Sequence, residues 1–388
     1  MRPEDAAVTG SERGQTVAQV DTEGAGQGGS ERRTPSGGDG PAGARLDSGA
    51  GTWRARIRRA ACAVSRPEPW KRGLVITVLA LLLGLLLLLH ARIPNRIGNV
   101  GSLVETFLPW WGVFVPVLLA GALWRRSASA VVALLLPVLV WLNLFGGLLG
   151  DKSHQGGDLT VVEHNVGAGN PDPTGTARDL AASGADVLAL VELTEKARGA
   201  YEEELAKAYS YHAVRGTVGL WSKLPLSDTR QVDILTDYGP LAATKPADVR
   251  AAYARALRTT VATDRGPLAV YVAHLGSARV NPRVGFWTDT RDRNAQALAK
   301  VLSAERNRRV VLLGDLNGTM DDRAFDGITS RMRSAQDVAG DGFGFTWPAS
   351  FPMVRIDQIM VRGVTPESSW VLPADHSDHL PVAAAISW

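Results

Sequence analysis

The sequence predicts a mixed α/β or α+β domain over residues 158–388, carried behind three membrane-spanning segments and an unstructured N-terminal stretch. Three observations predict it. Residues 73–149 contain three long apolar runs, residues beyond 158 alternate β-rich runs with helical stretches, and the first 70 residues have almost no aromatic side chains. Such an opening segment, rich in Gly, Ser, Ala and charge, cannot bury enough apolar surface to offset its ordering entropy.

The expected organisation follows in chain order: residues 1–70 disordered, 71–150 a membrane region, 151–388 a catalytic domain. The first apolar run, 73–90, has no charge and nearly the length that crosses a bilayer. The second, 103–124, is interrupted by Glu105, Pro109 and Pro116; the third, 130–149, holds Pro137 and Asn143. A soluble core helix rarely runs so long without a polar face, so three transmembrane helices are expected. The first run lies far from Met1 and lacks a small-residue cleavage site, which excludes a cleaved signal peptide.

Orientation comes from Lys and Arg near the helix ends. Arg54, Arg56, Arg58, Arg59, Arg66, Lys71 and Arg72 precede the first run, and Arg125-Arg126 lie between the second and third; Arg92, Arg96 and Lys152 occupy the opposite side. This bias predicts a cytoplasmic N-terminus, with residues 151–388 outside the cytoplasm on a short linker, Gly150 to Gly157. Glu105 and Trp110-Trp111 are expected near the outer interface, as a tolerated charge and as anchors.

Within the domain, strands are expected at 158–165, 185–192, 310–317, 354–361 and 380–386, with helices at 174–183 and 289–306. The formal charge of +3 belongs to the N-terminal part. Residues 1–150 carry 16 Lys/Arg against 10 Asp/Glu, whereas 151–388 carry 26 against 29. The single cysteine, Cys62, excludes an intrachain disulfide framework and a Cys-rich zinc site.

Several apolar strands run out into a polar side chain: Asn165, Glu192, His274, then Asp315 with Asn317. Strand ends sharing one edge are where α/β folds place ligands. Carboxylate and amide oxygens suit Mg2+ or Mn2+, and histidines with carboxylate partners suit acid–base work on a phosphate ester. A phosphate approaching acids is repelled unless a cation intervenes. The acids therefore point to a metal, and the metal to phosphate.

The ordered motifs Glu163-His-Asn-Val166, Val191-Glu-Leu-Thr194, Gly219-Leu-Trp-Ser-Lys-Leu-Pro-Leu226, Ala273-His-Leu275, Gly314-Asp-Leu-Asn317, Phe345-Thr-Trp-Pro348, Arg355-Ile-Asp-Gln-Ile359 and Ser377-Asp-His-Leu-Pro381 resemble the endonuclease/exonuclease/phosphatase superfamily. That resemblance implies an α+β four-layer sandwich, two packed, mainly antiparallel sheets flanked by helices. It implies a Mg2+- or Mn2+-dependent hydrolase with Glu192 as principal metal ligand, Asn165 in the metal and phosphate shell, and Asp378 reaching the metal. It implies that Asp315 and Asn317 orient the attacking water and the phosphate, that His274 and His379 flank that phosphate, and that Asp357 holds His379. Asp375 and His376 are expected outside the site. Gln358 departs from the family pattern, no active-site Tyr aligns, and 228–258 reads as a variable insertion.

The whole architecture also resembles a membrane-anchored actinomycete type linked to teicoplanin resistance. This implies the bilayer as a partner and a lipid-linked phosphate such as undecaprenyl pyrophosphate as substrate, with no obligate protein partner. The alternatives are a tethered extracellular nuclease and a non-enzymatic envelope sensor. The domain's net acidity disfavours nucleic acid, which needs a basic surface, although Arg279, Arg283, Arg291 and Arg293 could form a local patch; a solvated face is the simpler reading of them. The loop 281–288 carries Phe286 and Trp287, and is expected either to meet lipid or to pack inward.

Overall fold

The computed structural model describes Trp53, residues 67–234 and residues 254–388. The expected disorder of 1–70 therefore lies almost wholly outside the described residues, as does the middle of the expected insertion. Two six-stranded sheets lie face to face. The first has the order β13-β14-β1-β2-β4-β3, built from β1 (Leu159–Asn165), β2 (Val187–Val191), β3 (Tyr211–Arg215), β4 (Val218–Ser222), β13 (Thr365–Val371) and β14 (Val382–Ser387). The second has the order β11-β12-β10-β7-β6-β5, from β5 (Leu226–Gln231), β6 (Ala256–Thr263), β7 (Gly266–Ala273), β10 (Val310–Asp315), β11 (Arg333–Ser334) and β12 (Asp357–Arg362). Strands β8 (Arg279–Asn281) and β9 (Gly285–Trp287) form a separate hairpin.

Only β1 with β2 and β7 with β10 pair in parallel; the other ladders are antiparallel. Strand alternation explains the layers. In β10, Val311 and Leu313 enter the core between the sheets, while Val310 and Leu312 face a helix on the outside. Burial on both faces makes such strands read as continuous apolar runs. Each fully buried Val or Leu contributes about 1.5–3 kcal/mol.

Helices cover both outer faces, which gives the four layers. Leu180 and Tyr201, from Pro173–Ala182 and Glu195–Leu205, pack with Leu188 and Trp221 of the first sheet. Leu298 and Leu302 of Asp289–Ala304 pack with Tyr271 and Leu312 of the second. The first of these helices begins where Asp172 accepts from the Gly175 amide and Pro173 sets the first turn.

The membrane region departs from three uniform helices. Leu74–Arg92 and Ala128–Leu148 are each long and apolar enough to cross a bilayer. Between them, Val100–Thr106 and Leu108–Trp124 are bent by 71°, as a broken span or a re-entrant loop. The cause is partly local, since Pro109 cannot donate a helical hydrogen bond, and partly tertiary. Glu105 is fully buried and clasps Arg323 of the sandwich, with Nη2 2.7 Å from Oε1. It is therefore no tolerated surface charge. Trp110 likewise packs against the sandwich, donating from Nε1 to the Met353 carbonyl at 2.7 Å and stacking on Phe345 at 5.8 Å.

The linker is docked as well, with His154 N donating to Glu367 O at 2.6 Å and Lys152 Nζ to Asp337 O at 2.7 Å. The described residues from 67 to 388 accordingly belong to one unit.

Candidate active site

The sheet edge anticipated from the strand ends exists. Asn165 ends β1, Glu192 follows β2, His274 follows β7 and Asp315 ends β10. Two of these strand ends are held close by a missing side chain: a Cβ at Gly314 would fall 1.8 Å from the Ala273 carbonyl oxygen. That close approach sets Asp315 beside His274.

Asp315 is the hub and is almost fully buried. Its Oδ2 accepts from Asn165 Nδ2 and from Asn317 Nδ2, each at 3.0 Å. Its Oδ1 accepts from the Asn317 amide at 2.8 Å. Two histidines flank the same carboxylate: His274 Nε2 lies 3.7 Å from Oδ2 and His379 Nε2 lies 4.0 Å from it. His379 Nδ1 is held by Asp357 at 2.9 Å. Glu192 enters from the other side, with Oε1 3.5 Å from His274 Nε2 and Oε2 accepting from the Ala168 amide at 2.9 Å.

Both Glu192 and Asn317 have left-handed backbones, with φ of 61° and 54°. Asparagine tolerates this conformation, but for a glutamate it is uncommon and has to be imposed by the surroundings, as often happens at functional sites.

Seven of the eight expected residues thus converge: Asn165, Glu192, His274, Asp315, Asn317, Asp357 and His379. Asp378 stands apart on the exposed rim, 3.4 Å from Trp347 Nε1. Asp375 lies outside the cluster. Its side chain is buried, and Oδ2 lies 2.9 Å from His164 Nε2, behind β1. His376 is exposed, as expected.

The electrostatics are those of crowded acids. Burial, then the charge of Asp357, pushes Asp315 up to about 7, with His379 pulling the other way. Burial alone would lower His379, but Asp357, as charge and as hydrogen-bond acceptor, outweighs it and raises the ring to about 9. His274 is held well below the usual histidine range by burial, by Arg255 and by His379. One carboxylate that the motifs did not single out lies beneath them: Glu163 of β1 is fully buried and neither oxygen has a hydrogen-bond partner. Burial, Asp357 and Asp315 together raise it well above the usual carboxylate range.

These residues fit a hard divalent cation. Asp315, Asp357 and His379 offer ligand atoms within 4.8 Å of one another, among the described residues. Neither ring nitrogen of buried His274 has a hydrogen-bond partner. Oxygen donors from acids and an amide suit Mg2+ or Mn2+, and a cation relieves the repulsion among buried acids.

Sequence reasoning missed residues whose roles depend on distant partners. Thr346 Oγ1 lies 3.4 Å from the Asp357 amide and accepts from it. Arg291, read as part of a solvated patch, is instead fully buried and pairs with Asp322 at 2.5 Å. Phe286 and Trp287 part company, since Phe286 is buried and Trp287 is 43% exposed.

Paired mixed sheets with an acid, amide and histidine cluster at one edge define a phosphoester-hydrolase class of site. The chain belongs to the Endonuclease/Exonuclease/phosphatase family, whose model matches residues 162–379, more than half of the chain. No curated protein matches. Solved structures with a similar fold include a Bacteroides thetaiotaomicron mannosyl-6-phosphatase, 15% identical over 60% of this chain and 100% of that one, with TM-score 0.46. Another is sphingomyelinase C from Streptomyces griseocarneus, 19% identical over 58% of this chain and 98% of that one, TM-score 0.44. A conserved protein from Enterococcus faecalis, described as functionally unknown, is 15% identical over 59% and 99%, TM-score 0.46.

Proposed function

We propose that the protein is a membrane-anchored, divalent-metal-dependent phosphoesterase that acts outside the cytoplasm on a lipid-linked phosphate or pyrophosphate, for example undecaprenyl pyrophosphate. Glycopeptide tolerance would follow if that lipid limits envelope synthesis. One observation carries the lipid reading: the loops that rim the site are bonded to the membrane region. Phe343 packs with Trp141 and Phe145 of the third apolar segment, and Met353 and Phe345 hold Trp110. On another flank the β8–β9 hairpin is hydrogen-bonded to the loop after the first span, Phe286 N to Gly98 O at 2.9 Å and Asn99 Nδ2 to Phe286 O at 2.9 Å. Gly98 and Gly285 touch backbone to backbone, where a Cβ on Gly285 would come 2.4 Å from the Gly98 Cα. A site held at that level meets lipid headgroups at high effective concentration.

The residues divide the chemistry. Asp315, near neutrality in its proton affinity, takes a proton from the attacking water, while Asn317 and Asn165 hold its carboxylate in place. His379, kept cationic by Asp357, faces the phosphate and stabilises the charge that develops there. His274 is neutral and donates one N–H to a phosphate oxygen. Glu192 and Asn165, with Asp315 nearby, would hold the cation, which would supply charge neutralisation on the phosphate; Asp378 lies on the exposed rim, outside that group.

The nuclease alternative loses ground because Arg291 is buried, which leaves only Arg279, Arg283 and Arg293 of that patch exposed. A phosphate-release assay with Mg2+ on purified protein decides between them, with undecaprenyl pyrophosphate, a phospholipid and plasmid DNA side by side. Nicking of plasmid with no release from either lipid would reject the lipid reading.

A further inference from the structure

The broken membrane segment reaches the catalytic loop through a buried polar chain. Ser102 Oγ donates to Asp322 Oδ1 at 3.3 Å, and Asp322 Oδ2 receives Arg291 Nη2 at 2.5 Å. Arg291 Nη1 donates to the Asn317 carbonyl at 3.4 Å, and Asn317 binds Asp315 through its amide and its side chain. A second strand of contacts runs beside the first. Glu105 accepts from Arg323 Nε at 3.1 Å and from the Arg323 amide at 3.3 Å, while its own carbonyl lies 3.4 Å from Thr319 Oγ1. Ser102, Glu105 and Arg291 are fully inaccessible to solvent, and Asp322 is 1% exposed.

The start of the loop is also held within the sandwich, where Asn317 Nδ2 donates to the Leu275 carbonyl at 3.1 Å and the Leu316 amide to the Ile356 carbonyl at 2.9 Å. Residues 316–322 belong to no strand or helix, yet Asn317 is kept left-handed there. Asparagine tolerates that conformation, and its neighbours hold it there. Of the groups that hold Asn317, Arg291 is the one tied to the membrane segment, through Asp322 and Ser102. Low local dielectric makes every link in such a chain strong, and makes any link left unpaired costly.

We infer that Ser102 and Glu105 are positioning residues of the phosphoesterase: the membrane segment sets the geometry of Asn317, and through it Asp315. It is therefore a working part of the site and not only an anchor. This rests on Asp315 and Asn317 being part of the reactive cluster, and is independent of whether the natural substrate is a lipid. Turnover of even a water-soluble ester then depends on residues that no such substrate touches.

The test uses the full chain in detergent micelles with Mg2+ and the soluble diester bis(p-nitrophenyl) phosphate. Ser102→Ala and Glu105→Gln are compared with wild type; the first is the milder change should the second fold poorly. A displacement of the order of 1 Å in a reactive group costs about a hundredfold, so kcat is expected to fall by about ten- to a hundredfold with KM within about twofold. Hydrogen exchange of metal-free protein should rise in the 316–323 peptide and stay unchanged in β1 and β10. The inference is overturned if both variants keep wild-type kcat and wild-type exchange in that peptide. It is equally overturned if the loss of activity only tracks the unfolded fraction. Should wild type fail to cleave the diester, the phosphoesterase reading is what suffers, and the exchange measurement still decides this one.

Discussion

His379 and Asp357 form the shortest acid–imidazole contact around the hub, 2.9 Å from Nδ1 to Oδ2, and it leaves His379 Nε2 turned toward Asp315. A buried ring held in this way stays protonated, and its other nitrogen lies 3.5 Å from Asn165 Nδ2, where in the proposed reaction it would meet a phosphate oxygen. The carboxylate 4.0 Å away carries the opposite assignment, that of the base. Environments that push two neighbouring groups in different directions are how one site runs acid and base chemistry at one pH.

Replacing either member of that pair should remove activity without unfolding the protein. Asp315→Asn keeps the volume while deleting the charge, and His379→Asn deletes the titratable ring while keeping a polar side chain. Phosphate release is expected to drop by about a thousandfold, within the range that general acid–base catalysis contributes, with circular dichroism unchanged. A wild-type rate from either variant would remove that residue from the mechanism.

Stability of the metal-free protein should fall as pH rises from about 5 to about 9. The two shifts act in the same direction. His379, raised from 6.5 to about 9, favours the folded state fully below 6.5 and loses that contribution as pH climbs through about 9. Asp315, raised from 3.8 to about 7, adds a penalty that grows over the interval between those values. Thermal unfolding with EDTA across this range measures the slope, and Mg2+ should flatten it. A melting temperature that rises over the window would contradict the assignment.

Glu163 should act as a buried acid that the fold tolerates at a cost. Because its folded-state value lies well above the usual range, it destabilises the protein increasingly above pH 4.5. Glu163→Gln removes the ionisable group at equal size. The variant should melt higher than wild type at pH 8 and close to it at pH 4.5. Identical melting curves at both would show that Glu163 carries no such penalty.

The hairpin gives a prediction about the substrate's surroundings. Val280, Val284 and Trp287 are 78%, 46% and 43% exposed, on the element bonded to the loop after the first span. Val284→Ser with Trp287→Ser should lower hydrolysis of vesicle-embedded substrate by about tenfold, from the lost burial of two apolar side chains, and spare a soluble diester. Equal losses on both substrates would mean that the hairpin merely supports the site. Phe286 is left out of the test because its ring is buried, so changing it would disturb the hairpin itself.

The sequence by itself determined which residue types could do chemistry and in which order they come, because strand ends, motifs and hydropathy are local properties. Asn165, Glu192, His274 and Asp315 were legible as an amide, acids and an imidazole closing apolar runs, His379 through the family motif, and two of the three membrane runs as continuous helices. Tertiary structure alone decided who meets whom. Glu105 and Arg323, 218 residues apart, show no relation along the chain, and only packing turns an oddly placed acid into one half of a buried pair. Arg291 looked like one more arginine on a polar helix, and Phe286 looked like Trp287. Their fates differ because burial depends on which distant segment covers each face, and periodicity shows that a face will be covered without saying by what. The same holds for the bend in the second membrane run, where partners in the sandwich claim Glu105 and Trp110 and draw the segment out of a straight path.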